Sequence, residues 1–291
     1  MNSEVLSLVR SLGAELSPTM IQGTQQFFAE RFIGIDPLTS ITRDQSYGPH
    51  ERHRLDLFTR ADPGGNSPVL VFVHGGGFVM GDKRTQGLPF YDNVGDFAVR
   101  SGCVGITMTY RLAPAHPWPA GSEDVAAALT WLRTHVAAYG GDPKRIFLVG
   151  QSAGAVHVAG YVAHSRFHPE AGPGIAGALM ISGVYDITQA DANQFQRAYY
   201  GEDRDKWAAC STLEGLIVSE LPLLFTVSEY DSADFQRQAA LLPTAFVQAR
   251  GRFPRLHWLA GHNHLSPVLA IGSAADTLGP CIHDFMETVC R

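Results

Sequence analysis

From residue 68 onward the chain sets short, largely apolar runs between helical segments, and that alternation limits the folds open to it. The runs are Pro68–Val73, Val104–Tyr110, Arg145–Val149, Gly177–Ser182, Pro222–Val227 and Arg255–Leu259. Strands of this length that are buried on both faces and joined by helices form a mostly parallel sheet flanked by helices. Ser122–Tyr139 reads as one of those helices, with Ser122 as its cap and Glu123 and Asp124 in its first turn. Asp234–Gln248 and Leu265–Val289 read as helical. Upstream, His53–Phe58 alternates polar and apolar residues, as a half-buried strand does.

The first forty-odd residues carry a different pattern. Val5, Leu6, Leu8, Val9 and Leu12 fall at helical spacing. Ser17-Pro18 offers an N-cap followed by proline at the first helical position. A second apolar set follows, through Met20, Ile21, Phe27, Phe28 and Phe32, until Gly34 and Asp36-Pro37 end it. The expected organisation is an α/β protein with a small helical N-terminal cap, residues 1–45, acting as a lid, and a main domain, residues 46–291. Residues 186–221 are the least regular stretch and read as an insertion over the site.

Composition narrows the function classes. Hydrophobic residues make up 45% of the 291 and charged residues 17%, enough for a large core. Lys+Arg number 22 against 28 Asp+Glu, a net charge of −6 with no basic block. That argues against nucleic acid or an anionic membrane as the partner. No stretch approaches the ~18 apolar residues of a membrane span. Cys103, Cys210, Cys281 and Cys290 form no CxxC pair, and no metal site or cofactor is expected. The cytoplasm is the expected compartment, and a homodimer is left open.

Two motifs carry chemistry. Gly150-Gln151-Ser152-Ala153-Gly154 stands between a strand and a helix. That is the setting of a nucleophile elbow, in which a tight turn lifts a serine hydroxyl above the sheet edge. His74-Gly75-Gly76-Gly77-Phe78 directly follows the Pro68–Val73 strand. Glycines there let backbone N–H groups approach a developing oxyanion, and the N–H of Ala153 would complete the hole. His74 reads as a residue that pins this loop by hydrogen bonding. His157, inside the helix after Ser152, reads as a packed histidine.

HGGGF, Tyr110-Arg111-Leu112-Ala113-Pro114, His116-Pro117-Trp118-Pro119-Ala120, GGDPKRI and GQSAG, in that order, resemble the hormone-sensitive-lipase-like carboxylesterases of the α/β-hydrolase superfamily. The resemblance runs from about residue 68 to 160; Ala115 stands where the family usually carries an acidic residue. It implies an α/β-hydrolase fold and hydrolysis of a small-molecule carboxylic ester through an acyl-enzyme. The nucleophile would be Ser152, and Gly75, Gly76, Gly77 and Ala153 would form the oxyanion hole.

The base and its orienting acid should follow the last two strands, in the order serine, acid, histidine. For the base the chain offers His262 and His264; the related esterases follow their histidine with an apolar residue, which favours His264-Leu265. For the acid it offers Glu229, Asp231 and Asp234. Asp231 lies nearer the strand end, while Asp234 would start the next helix, where aspartate commonly caps. The stretch Glu229-Tyr230-Asp231-Ser232-Ala233-Asp234-Phe235-Gln236-Arg237-Gln238 also resembles kynurenine formamidases. That supports Asp231 and introduces an aryl formamide as a rival substrate, although formamidases tend to carry an aromatic residue where this chain has Gly77. A hydrolase scaffold serving as a small-molecule receptor is a further alternative, disfavoured because candidates for all three triad members are present. Phe78, Trp118, Tyr185 and Tyr199 are expected to line an apolar substrate pocket, with Phe195, Tyr200, Trp207, Phe27 and Phe28 as further aromatic candidates.

Overall fold

The computed structural model describes residues 3–61 and 64–291; residues 1 and 2 of the expected cap lie outside the described residues. Helices α1 (Ser3–Leu12) and α2 (Pro18–Ala29) come first. Strands β1 (Thr39–Ser46), β2 (Arg54–Arg60) and β3 (Ser67–Val73) follow. Helix α3 (Asp92–Arg100) leads to β4 (Val104–Met108), and α4 (Ala120–His135) leads to β5 (Gly141–Gln151). Helix α5 (Ala153–Ala163) precedes β6 (Gly177–Ile181). Helices α6 (Gln194–Tyr200) and α7 (Leu213–Val218) lie between β6 and β7 (Leu223–Tyr230). The chain finishes with α8 (Ala233–Arg250), β8 (Arg255–Asn263), α9 (Ser266–Leu269) and α10 (Leu278–Cys290).

The sheet runs β1-β2-β4-β3-β5-β6-β7-β8. β1 and β2 pair antiparallel, as do β2 and β4, and every later pairing is parallel. Alternate residues along each strand feed two cores. Val69, Val71, Ile146, Leu148 and Met180 face α4, α5 and α8, whereas Leu70, Phe72, Phe147, Val149 and Leu179 face α3 and α10. Burial on both faces is why these strands read as continuous apolar runs.

The order reverses around β3. From β3 the chain steps outward to β4, then returns to β5 on the other side of β3. Crevices open at such a switch point, because the loops leaving the two strands diverge to opposite faces. Here they are the loops carrying HGGGF and GQSAG, with Val73 of β3 opposite Gly150 of β5.

Three expectations need correction. The sheet begins at Thr39, before the expected boundary at residue 46. β1 is a largely polar edge strand whose one large apolar residue is Ile41, so it carries little hydrophobic signal. Helix α4 begins at Ala120 and gives way at Val136 to a 3₁₀ turn through Tyr139. Ser122 does not cap it: its hydroxyl is buried and donates to the carbonyl of His157 at 3.2 Å, joining α4 to α5 where Gly160 allows close approach. The second helix ends at Ala29, short of Phe32, whereas Ser17 caps it as expected, accepting from the N–H of Met20 at 3.2 Å.

The N-terminal helices pack at the β8 edge. Val5, Val9 and Phe28 are buried with Leu269, Ala270 and Phe90, against Tyr230 and Leu265. Asn263 donates to the Thr24 hydroxyl at 2.9 Å. Phe28 is therefore buried between helices and Phe27 half-buried beside it, and α1 and α2 brace the segments that carry Asp231 and His264.

Candidate active site

The strand ends bring the expected residues to one edge of the sheet. Ser152 sits between β5 and α5 with φ 55° and ψ −120°, a left-handed conformation that a serine adopts only under constraint. The constraint is visible. A Cβ on Gly150 would stand 2.4 Å from the carbonyl oxygen of Gly154, and one on Gly154 would stand 2.0 Å from that of Val73. Both glycines of the motif are thus required by close backbone approach, and the serine between them is turned outward.

The HGGGF loop lies beside this elbow. A Cβ on Gly75 would come within 3.2 Å of both the Gln151 carbonyl and the Ser152 Cβ. Gly76 has φ 131°, open to glycine alone. Among the described residues, the N–H groups of Gly76, Gly77 and Ala153 find no acceptor. His74 pins the loop: its Nδ1–H donates to the Gly75 carbonyl at 2.6 Å and its ring stacks on Tyr110, whose hydroxyl bonds the His74 carbonyl. Burial pushes the His74 imidazole down to about 4, so it stays neutral at pH 7.

The structure separates the two histidines. His264 donates from Nδ1 to Asp231 Oδ1 at 2.6 Å, with both side chains almost fully buried. Its Nε2 is buried without a hydrogen-bond partner, and Ser152 Oγ makes no hydrogen bond either among the described residues. Both atoms therefore retain hydrogen-bonding capacity for a reacting group, and contacts of this kind tighten once substrate is bound. His262 has both ring nitrogens engaged elsewhere, Nδ1 with Ser266 Oγ at 2.9 Å and Nε2 with Thr277 Oγ1 at 2.7 Å. It is a structural strut.

The three carboxylates separate as clearly. Asp231 accepts on Oδ2 from the Ser182 hydroxyl at 2.6 Å and from the Ser228 N–H at 2.7 Å. Asp234 instead accepts from the Asp191 N–H at 3.1 Å and pairs with Arg237, tying the insertion to α8. It lies in the first turn of α8, after the cap residue Ser232. Glu229 accepts from the Gly261 N–H at 2.7 Å and fastens β7 to β8.

Sequence reasoning missed the residues that hold these groups. Gln151, beside Ser152, donates to the His264 carbonyl at 3.0 Å. Phe235 stacks on the His264 imidazole with centroids 4.2 Å apart. Gln238 accepts from the Tyr185 and Asp186 N–H groups and donates to the Asp186 carbonyl, each at 2.9 Å. The fixed spacing of Phe235 and Gln238 after Asp231 was the available signal.

The expected pocket residues divide. Phe78 and Tyr199 stack at 4.4 Å in a third apolar cluster with Ala153, Val156, Tyr200 and Trp207, against which Trp118 and Phe195 pack. Through this cluster the expected insertion packs on the HGGGF loop: Phe195 covers Gly77, where an added Cβ would meet its ring at 3.0 Å. Tyr185 does not belong there. It packs edge-on against Phe225 in the main core beneath the sheet, because the chain after β6 turns its side chain inward. His157 is buried among Phe78, Tyr110 and Tyr199.

A family model described as alpha/beta hydrolase fold matches residues 70–252, from β3 through α8. The chain belongs to the α/β-hydrolase family. Esterase LipQ of Mycobacterium tuberculosis is 38% identical over 160 residues, 52% of this chain and 37% of that protein. Carboxylesterase NlhH of the same organism is 40% identical over 126 residues, 43% of this chain and 34% of that protein. The chain thus spans little more than a third of the length of these curated relatives. Among solved structures, an inhibited esterase B from Lactobacillus rhamnosis superposes with a TM-score of 0.76 at 16% identity. That match covers 99% of this chain and 97% of the other, and it speaks for the fold. Among the described residues, no helix of this α/β-hydrolase is long and apolar enough to cross a membrane.

The buried histidines of this α/β-hydrolase set an acid limit on its stability. Burial lowers His74 and His262 from 6.5 to about 4 and His157 to about 3. Their folded values lie below the unfolded one, so the unfolded chain binds protons first as pH falls. The unfolding temperature is expected to hold above pH 6.5 and to drop steadily from there toward pH 4. A flat profile across that window would show that these rings are accessible to protonation in the folded state.

Proposed function

We propose that this α/β-hydrolase cleaves carboxylic esters of short to medium acyl chain through an acyl-enzyme. The observation that carries the reading is the placement of the Gly75–Gly77 loop against the Ser152 elbow, on the sheet edge that also holds the His264–Asp231 pair. Ester hydrolysis needs a nucleophile, a base and donors for a developing oxyanion within one small volume.

His264 Nε2 takes the Ser152 proton as Oγ attacks the ester carbonyl. Asp231 holds the imidazole in the tautomer with hydrogen on Nδ1 and stabilises the imidazolium that forms. The N–H groups of Gly76, Gly77 and Ala153 receive the oxyanion, and Gly75 shapes the loop. His264 then protonates the leaving alcohol, and a water deprotonated by the same imidazole releases the acid. Phe195 and Phe78 would bound an apolar acyl site, while α1 and α2 act as a cap beside the His264 loop. The free thiols of the four cysteines suit a reducing compartment, and we place the protein in the cytoplasm.

The likeness to kynurenine formamidases has a structural use that is independent of substrate. Asp231 and Phe235 hold His264, Gln236 bonds the Ser228 and Glu229 carbonyls, and Arg237 and Gln238 anchor the insertion. Those contacts serve any acyl substrate. We therefore expect p-nitrophenyl esters of about two to eight acyl carbons to be preferred, as an apolar pocket of limited length allows. The check is kcat/KM for p-nitrophenyl butyrate against N-formylkynurenine. A tenfold advantage for the formamide, ~1.4 kcal/mol of transition-state binding, would make the amidase the better description.

A further inference from the structure

We propose that Ser182 is a positioning residue of the catalytic machinery, acting through Asp231; the inference rests on the reading of Asp231 and His264 as acid and base. The functional groups stand just past the ends of three strands of the parallel part of the sheet, Ser152 after β5, Asp231 after β7 and His264 after β8. β6 lies between the nucleophile strand and the acid strand, and the residue at its end is Ser182.

Three observations single it out. Its hydroxyl donates to Asp231 Oδ2 at 2.6 Å, on the oxygen that His264 does not use. It is 2% exposed, so no bulk water can replace that donor. Its φ is +50°, a conformation that glycine adopts freely and serine only under constraint. Its backbone is held there by the strand ladder, since the Ser182 N–H donates to the Thr226 carbonyl at 3.0 Å, as the Ser152 N–H does to Ile181 at 2.8 Å. Glycine would relieve the strain at this position but supplies no hydroxyl.

A buried carboxylate needs a donor for each lone pair it does not spend on its partner. Asp231 has two such donors on Oδ2, the Ser228 N–H, which side-chain substitution cannot remove, and the Ser182 hydroxyl. Together they fix the carboxylate plane and so present Oδ1 to the imidazole. With one donor gone the carboxylate gains a rotation, and His264 loses its fixed orientation toward Ser152.

The test is the rate at which a fluorophosphonate probe labels Ser152, measured for wild type, Ser182→Gly, Asp231→Asn and the double variant, with unfolding temperature followed in each. Ser182→Gly is expected to slow labelling about tenfold, the scale of one hydrogen bond to a charged group, with the fold retained. In the Asp231→Asn background the same change is expected to cost almost nothing, because a residue acting through Asp231 has nothing left to hold. Wild-type labelling by Ser182→Gly beside a nearly inert Asp231→Asn overturns the role of Ser182 and leaves the acid assignment standing. Additive losses in the double variant also overturn it, since Ser182 would then act by another route. Full labelling by Asp231→Asn overturns the acid assignment and this inference with it. Should Ser182→Gly fail to fold, Ser182→Cys replaces it; its thiol is a weak donor, and an unchanged labelling rate would again sink the proposal.

Discussion

Ser152→Ala is expected to lower kcat on p-nitrophenyl butyrate by on the order of 10⁴-fold or more, since removing the nucleophile leaves only binding and oxyanion stabilisation. The alanine fits the site: Ser152 Oγ makes no hydrogen bond among the described residues, so the elbow loses no structural contact. The strained φ of 55° is imposed by Gly150, Gly154 and the strands, and alanine must accept it as serine does. A folded variant is thus expected, without covalent labelling by a fluorophosphonate. A variant retaining a tenth of wild-type turnover would mean that another group attacks the carbonyl. A wild type that resists labelling altogether would favour the receptor reading.

The second large effect separates two histidines only two residues apart. His264→Ala and Asp231→Asn are each expected to reduce kcat by on the order of 10³- to 10⁴-fold, because the pair works as a unit with Ser152. His262→Ala and Asp234→Asn are expected to keep most of the turnover. Their cost falls on stability instead, as His262→Ala removes the ring's bonds to Ser266 Oγ and Thr277 Oγ1, the former still held by the Asn263 N–H, and Asp234→Asn loosens the insertion at Asp191 and Arg237. For His262→Ala a loss of about 1–3 kcal/mol is the scale of two lost hydrogen bonds. Kinetics paired with thermal unfolding reads both. An inert His262→Ala beside an active His264→Ala would reverse the assignment of the base.

Local signals account for part of what the chain disclosed. The apolar runs announced a parallel sheet because strands buried on both faces cannot afford polar residues. GQSAG and HGGGF were legible because a tight turn and a close backbone approach exclude side chains, and glycine leaves that exclusion in the sequence. Where no local constraint acts on residue type, the sequence carries no such signal. β1 was absorbed into the cap because an edge strand with one face in solvent needs few apolar residues. Tyr185 fits a pocket as well as a core by residue type, because an aromatic residue shows that it is buried and not where.

Tertiary structure supplied the partners that set these neighbours apart. Local sequence favours His264 over His262 and Asp231 over Asp234 only through a following apolar residue, nearness to a strand end and a family resemblance. Their partners, Thr277 and Asp231 for the histidines and Ser182 and Asp191 for the aspartates, come from distant segments that meet only when β6, β7 and β8 pair. The architecture, the elbow turn and the glycine loop after β3 were legible in the chain, since each rests on spacing and residue size within a few positions. Which carboxylate meets which imidazole depends on strand order and on the lengths of the loops leaving the sheet. Those are properties of the folded chain, and the distances between side chains that do the chemistry exist only there.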